Sequence, residues 1–131
     1  MKRRAWILAA AIATQLACSN TYSPSGGVSG GVGGGAVGTV TVGNIFFRSG
    51  HNGSQNPAVD TIAAGTSVTW TWNAAGQHSI QSTGVAPEIF RNSVVMTAAN
   101  SSYTVTFQNP GTYTYQCMVH GSAMTGRIVV Q

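Results

Sequence analysis

From residue 39 onward, apolar and polar side chains alternate along the chain with a period of two. In SVTWTWN (residues 67–73) the apolar residues share one face and the threonines the other, and SYTVTFQ (102–108) and TYTYQC (112–117) repeat this pattern. Alternating β-branched and aromatic residues are typical of half-buried antiparallel strands, and no stretch has a convincing helical period. The predicted strands are residues 39–47, 58–63, 66–73, 78–82, 102–108, 111–117 and 125–131.

Tight turns separate several of these strands. AAGT (63–66) and NPGT (109–112) carry the residues that punctuate neighbouring strands. Short strands at regular spacing, without helices between them, predict an all-β Greek-key sandwich of seven to eight strands for residues 39–131.

The first 18 residues have the organisation of an export signal. A basic run at residues 2–4 precedes the apolar segment AWILAAAIA, which is far shorter than the roughly 20 residues that cross a bilayer as a helix. Cys18 follows Leu-Ala, as in a bacterial lipoprotein cleavage box, although Gln15 stands where Leu is usual. We expect export to the periplasm or cell surface, with membrane attachment through lipid on Cys18. Ordinary signal cleavage, for example after Ala13, is the alternative.

Residues 19–38 have the composition of a flexible linker, because they are rich in glycine and serine and offer almost nothing to bury. A linker of this length has a root-mean-square reach of about 25 Å. The predicted organisation is therefore a signal at 1–18, a linker at 19–38 and a single folded domain at 39–131.

Charge excludes one class of function. The whole chain carries a formal charge of +4, but three of its six basic residues lie in the signal. The rest of the chain has three arginines and two carboxylates, which gives it a net charge of +1. These residues are Arg48, Arg91, Arg127, Asp60 and Glu88. The basic character thus belongs to the export signal, and we expect no nucleic-acid partner.

Candidate chemistry is concentrated near the C-terminus. Cys117, His120 and Met124 lie within eight residues, and glycine and small residues between them allow a tight loop. A soft thiolate, an imidazole and a thioether converging on one point suit copper, and a second imidazole completes a blue-copper site. Strand parity aims Cys117 inward. His78, which shares its parity with Ile80 at the start of a predicted strand, is the best candidate for the second imidazole.

Simpler interpretations of these residues stay open. Instead of binding a metal, Cys117 could pack as a small buried apolar residue, or it could form a disulfide with Cys18. His51 lies in a polar loop and is the weakest metal candidate. Asp60 and Glu88 are interpreted as isolated carboxylates, without a partner for acid–base catalysis.

Two segments carry a resemblance to a known family. GTYTYQCMVHGSAMTGRIVV and VTWTWNAAGQHSI resemble the cupredoxins, the plastocyanin/azurin-like small blue copper proteins, and the resemblance covers roughly residues 39–131. It implies a Greek-key sandwich that holds one type 1 copper ion. By the same resemblance His78 is the upstream histidine ligand, Cys117 the thiolate, His120 the second histidine and Met124 the axial ligand.

The resemblance also implies how the site is supported and used. Many relatives carry Asn after the first histidine, which ties the ligand loops together; Ser79 stands there in this chain. The second histidine lies near the surface in an apolar patch where electrons enter and leave, so redox partner proteins should dock near His120. Residues that could form the patch are Gly76, Met118, Gly121 and Ala123.

The expected function is therefore a non-catalytic electron carrier that cycles between Cu(I) and Cu(II). The alternative is an exported copper-binding protein for storage, delivery or sensing. An enzyme is not expected: multicopper oxidases need additional histidine-rich motifs, a dinuclear copper centre needs a second cysteine in the loop, and haem attachment needs Cys-x-x-Cys-His. Zinc would more often use a second cysteine or a carboxylate in place of methionine.

Overall fold

The computed structural model describes residues 36–131, and the interpretations of residues 1–35 as a signal, a lipid-bearing Cys18 and most of a linker lie outside this range. Within it the chain is all-β, and it contains no helix long and apolar enough to cross a membrane. The strands are β1 (Thr39–Gly43), β2 (Phe46–Ser49), β3 (Ala58–Ile62), β4 (Thr66–Trp72), β5 (Gln81–Thr83), β6 (Ser102–Phe107), β7 (Gly111–Cys117) and β8 (Gly121–Val130).

These strands form two four-stranded sheets, in the orders β2-β1-β4-β6 and β3-β8-β7-β5. The sheets pack as the predicted Greek-key sandwich. The expectation of antiparallel strands is wrong for two pairs, because β1 pairs with β4 and β3 pairs with β8 in parallel. Alternation along a single strand does not distinguish these partners, since both kinds of pair place every second side chain on the same face.

The inward faces of β4 and β7 form the centre of the core. Trp70 and Trp72 are fully buried, as are Tyr113 and Cys117. The Tyr115 ring lies edge-on to the ring of Trp70 at a centroid distance of 5.3 Å, an arrangement that aromatic pairs favour. The period-two pattern therefore identified the more buried face of β4, β6 and β7.

Three predicted strand boundaries are wrong. The predicted strand at 39–47 is interrupted by a turn at Asn44–Ile45 and becomes β1 and β2. The strand predicted at 78–82 begins only at Gln81, because His78 pairs with Met96 in an isolated bridge. The last strand begins at Gly121 rather than at residue 125. The first and third differences come from tight hairpins, in which Gly43 pairs with Phe46 and Cys117 with Gly121. Only the second comes from pairing with a residue distant in sequence.

Candidate metal centre

Three of the predicted ligand residues converge at one end of the sandwich. Donor atoms of His78, Cys117 and His120 all lie within 4.8 Å of one another. The Cys117 Sγ atom is 3.9 Å from His78 Nδ1 and 3.4 Å from His120 Nδ1. The two imidazole rings lie with their centroids 4.8 Å apart. Two imidazole nitrogens thus lie close to one sulfur atom. These three donors are the ones that a blue-copper site uses in its trigonal plane.

Strand β7 delivers Cys117 to this point. Tyr113, Tyr115 and Cys117 alternate inward along the strand and are all buried. The pairing of β7 with β8 is regular up to Gln116 and then shifts at Cys117, which marks a bulge. Bulges redirect side chains at the ends of strands. The chain then turns through residues 118–120, and the half-buried His120 returns toward the sulfur.

His78 reaches the site from the segment that follows β4. Its backbone N–H and C=O both pair with Met96, at 3.1 and 2.9 Å, and this bridge fixes the segment without a continuous strand. Two residues on, the N–H of Ile80 donates to Ser93 Oγ at 2.8 Å. His78 is consequently buried and immobilised from both sides.

Met124 is fully buried. Because β8 begins at Gly121, Met124 lies within this strand and not in a loop. Register places it beside the cysteine: Tyr115 pairs with Gly126 and Gln116 with Thr125. The next inward position on β8 is therefore Met124, opposite the bulge that carries Cys117. Strand register thus places Met124 near the end of β7 that carries Cys117.

The His78 imidazole is neutral in this environment. Burial lowers its pKa, and the neighbouring His120 imidazole lowers it further, so His78 is deprotonated at neutral pH and can donate a lone pair to a metal. Its Nε2 atom is buried and has no hydrogen-bond partner among residues 36–131. Gly76 packs against this nitrogen so closely that a Cβ there would lie 2.7 Å from Nε2. Only glycine fits this contact without displacing the ring.

Ser79 connects the segments that carry His78 and Cys117. The N–H of Met118 donates to Ser79 Oγ at 3.2 Å, across 39 positions of sequence. Ser79 is itself fully buried. The hydroxyl therefore links the residue after His78 to the residue after Cys117.

His51 lies outside this cluster. Its Nδ1 atom is 3.7 Å from Asp60 Oδ1, and Asp60 also accepts hydrogen bonds from the N–H groups of Gly38 and Thr61. Burial raises the pKa of Asp60, while these contacts oppose the rise. The description of Asp60 as an isolated carboxylate is therefore wrong: it is a buried structural group. No sequence motif signalled this pair, because its members come together only through the fold.

Several apolar residues are exposed in the segments that carry the donors. Met118 and Val119 are exposed in the turn between Cys117 and His120, and Ala123 is exposed on β8. Gly76 and Gly121, the other proposed patch residues, are half-buried.

Comparisons with known proteins agree with this arrangement. Residues 54–131 match the model of the family described as copper binding proteins, plastocyanin/azurin family. The chain is 39% identical over 82 residues to the chloroplastic plastocyanin of Tetradesmus obliquus, which covers 57% of each chain. It is 38% identical over 80 residues to amicyanin-alpha of Methylorubrum extorquens, which covers 59% of this chain and 63% of that protein.

A solved structure is similar as well. The purple cupredoxin from Nitrosopumilus maritimus superimposes with a TM-score of 0.51 at 30% identity, covering 60% of this chain and 83% of that one. The chain spans about three fifths of the length of the two curated relatives, at 57% and 63%.

Proposed function

Because the chain belongs to the plastocyanin/azurin family of copper-binding proteins, we propose that it is a non-catalytic electron carrier. Its cofactor is one type 1 copper ion. In this proposal His78, Cys117 and His120 hold the ion, with Met124 as the axial ligand. The alternative, copper storage, delivery or sensing, uses the same donors and differs in how readily the metal leaves.

One observation carries the proposal. Two imidazole nitrogens and one thiol sulfur, from segments 39 residues apart, lie within 4.8 Å of one another at the buried end of a rigid sandwich. The donors are soft or borderline, and no carboxylate belongs to the group, which favours copper over calcium, magnesium or a hydrolytic zinc site.

The protein's contribution to electron transfer is rigidity. Bound copper supplies a one-electron couple between Cu(I) and Cu(II), which prefer different geometries. The chain fixes the ligands through the His78–Met96 bridge, the Ser79–Met118 hydrogen bond and the buried strand end at Cys117. Ligands held in this way need little rearrangement when the charge changes. Burial of His78, Cys117 and Met124 also excludes water and retards metal exchange, which favours a carrier over a delivery protein.

Spectroscopy of the copper-titrated protein tests the function. We expect an intense visible band from thiolate-to-copper charge transfer that saturates at one equivalent, bleaches with ascorbate and returns with ferricyanide. Copper should transfer slowly to a chelator. A band that does not cycle, or copper that leaves within the time of mixing, would support storage or delivery instead. Absence of the band would contradict both copper-thiolate functions.

Ser79→Ala tests whether the hydroxyl supports the ligand loop. The Met118 N–H would lose its acceptor, which should lower the free energy of unfolding by about 1 kcal/mol and weaken copper binding roughly ten-fold. Ser49→Ala is the matched control, because Ser49 is also buried and its Oγ accepts backbone N–H groups, from His51 and Asn52, away from the metal centre. It should lower stability by a similar amount in the metal-free protein. Equal effects of the two substitutions on copper dissociation would show that Ser79 has no special role.

Met124→Leu tests the axial ligand. Leucine conserves the buried volume, so the metal-free protein should lose less than about 1.5 kcal/mol of stability. Copper should stay bound while the reduction potential rises, because removing a donor disfavours Cu(II). Met118→Leu, in the exposed turn, should leave the potential unchanged. Loss of copper from the Met124 variant would show that the thioether is not a weak axial ligand.

Location and partners are part of the same proposal. The signal-like residues 1–18 support export, and lipid on Cys18 would attach the domain to a membrane through the linker at 19–38. Mass spectrometry of the mature N-terminus distinguishes lipidation of Cys18 from cleavage after Ala13. Redox partner proteins are proposed to dock beside His120.

A further inference from the structure

A concave pocket of about 470 Å³ lies on the outer face of the sheet β2-β1-β4-β6. Its lining comes from β1, from β2 and the turn that follows it, and from the residue after β4. This volume is far larger than a simple ion needs and is typical of small-molecule sites. None of the lining residues is acidic, and one is an arginine. The pocket therefore favours an organic ligand that carries a negative charge.

Strand register builds the wall of this pocket. Thr41 pairs directly with Arg48, and Gly43 pairs with Phe46 in the β1–β2 hairpin, so all four positions share one face of the sheet. Gly43 leaves room on that face, and the Phe46 ring fills it, because a Cβ at Gly43 would overlap with the ring. The half-buried ring of Phe46 thus forms an apolar wall beside the arginine.

The guanidinium of Arg48 lies against the turn that follows β2. A Cβ at Gly53 would be 3.8 Å from Arg48 Nη2 and 4.0 Å from Nε, so the guanidinium is close to the backbone of Gly53. The turn is fixed from within: Ser49 Oγ accepts the N–H groups of His51 and Asn52, and the Ser49 carbonyl accepts that of Gly53. The wall next to Arg48 is therefore pre-organised.

The positive charge of Arg48 has no carboxylate beside it. Both acidic side chains of residues 36–131 are engaged elsewhere. Asp60 is buried and contacts His51, and Glu88 accepts hydrogen bonds from the turn between β6 and β7. Because the other basic residue of the pocket, His51, is engaged with Asp60, the uncompensated charge in the pocket is that of one guanidinium.

Two uncharged side chains add hydrogen-bonding groups to the pocket. Thr41 lies opposite Arg48, and Asn73 lines the pocket from the end of β4. The N–H of Asn73 donates to the carbonyl oxygen of Val42 at 3.0 Å, which anchors the residue and leaves its side-chain amide for a ligand. A planar guanidinium with a hydroxyl and an amide around it matches the donors that a carboxylate uses.

We propose that this pocket binds a small aromatic acid with a single carboxylate. The Arg48 guanidinium donates two parallel hydrogen bonds to the carboxylate, the side chains of Thr41 and Asn73 donate to its remaining lone pairs, and the Phe46 ring packs against the aromatic body. One carboxylate balances one guanidinium, whereas a phosphomonoester brings close to two negative charges. No candidate copper ligand lines the pocket, so the proposal goes beyond the electron-carrier function and does not depend on it.

Benzoate is the probe, because it joins one carboxylate to one aromatic ring. Benzamide has nearly the same shape without the charge, and inorganic phosphate lacks the apolar body. N-acetylglutamic acid amide, a capped glutamate, represents a carboxylate on a protein. The copper-loaded full chain is kept reduced and carries Cys18→Ser throughout, so that neither lipid nor Cu(II) binds the probes. Amide chemical shifts in NMR titrations measure binding.

Three substitutions locate the site. Arg48→Gln removes the charge and keeps a long polar side chain, while Arg48→Lys keeps the charge without the planar fork. Arg127→Gln is the matched control, because Arg127 is also exposed and the substitution removes the same charge from the other sheet. All three positions are at the surface, so the fold should stay intact.

We expect benzoate to bind with a Kd of about 1 mM and to shift the amide signals of the β1–β2 hairpin and of the turn after it. Arg48→Gln should weaken binding by about ten-fold or more, because a charge-assisted pair of hydrogen bonds is lost. Arg48→Lys should weaken it by a smaller factor, and Arg127→Gln should leave it unchanged. Affinity should fall between about 0.01 M and 1 M salt, since Arg48 is exposed.

Equal binding of benzoate and benzamide, or equal losses in Arg48→Gln and Arg127→Gln, would overturn the proposal. Unweakened binding in Arg48→Lys would refute recognition by the planar fork. Tighter binding of phosphate, or of the capped glutamate, would contradict a small aromatic acid as the ligand and assign the pocket to a phosphate or to a protein carboxylate. Failure of the electron-carrier function is a separate result, because it appears as a visible band that ascorbate and ferricyanide do not cycle in the absence of any probe.

Discussion

Replacing Cys117 by serine is expected to abolish the intense visible band of the copper-loaded protein. The band requires a thiolate, and an alcohol at the same position stays protonated and is a poor ligand for copper. Losing a residue that only hydrogen-bonds to a metal ligand weakens metal binding about 10–100-fold. Losing the thiolate ligand itself should weaken copper binding by more than this. Absorption spectra and equilibrium dialysis measure both effects.

Cys18→Ser is the matched control for this experiment, since these are the two cysteines of the chain. It should keep the band, because Cys117 is buried beside two histidines and forms no disulfide within the residues that the structure describes. Circular dichroism of the metal-free Cys117 variant checks that the fold is intact. A Cys117→Ser protein that retained the band would remove the basis of the copper assignment.

Gly126→Ala is expected to give the largest loss of stability. Gly126 pairs with Tyr115 across β7 and β8, and a Cβ there would lie 2.2 Å from Tyr115 Cζ. The ring cannot retreat, because Phe47 and Trp70 pack against its other sides at centroid distances of 5.0 and 5.3 Å. Overpacking of this kind lowers the free energy of unfolding by about 3 kcal/mol. Denaturant unfolding of the metal-free protein measures it.

A double-mutant cycle isolates the cause. Tyr115→Leu removes the ring that blocks the new methyl group, so Gly126→Ala should cost much less in that background. Arg127→Ala, at the exposed neighbouring position on β8, should change stability by less than about 0.5 kcal/mol. Additive effects of the Gly126 and Tyr115 substitutions would contradict the proposed clash.

Much of the core followed from the sequence because alternation is a local property. Each side chain of a strand points opposite to the one before it, so Trp70 and Trp72 were assigned to the same face without any knowledge of their neighbours. The same parity aimed Cys117 inward, and the structure buries it completely. The spacing from Cys117 to His120 and Met124 is local as well, and it limited the chemistry to a soft metal.

The strand boundaries did not follow from the sequence. Ile45 has no propensity for the left-handed turn that separates β1 from β2, and the bonds that stabilise this turn come from Asn56, 11 residues away. His78 appeared to open a strand, but its position is fixed by Met96, 18 residues away. The side-chain pattern indicates which face of a strand is buried, but it does not identify the residues that pair with that strand.

By itself, the sequence determined the fold class, the buried face of β4, β6 and β7, and the set of soft donors, since all three depend on residue type and short-range spacing. The tertiary structure alone decided that the imidazole of His78 meets the sulfur of Cys117, that Asp60 is paired with His51, and that Ile45 takes a positive φ in the turn between β1 and β2. These contacts join segments separated by 9 to 39 positions. Their geometry is set by the packing of two sheets, which no local pattern encodes.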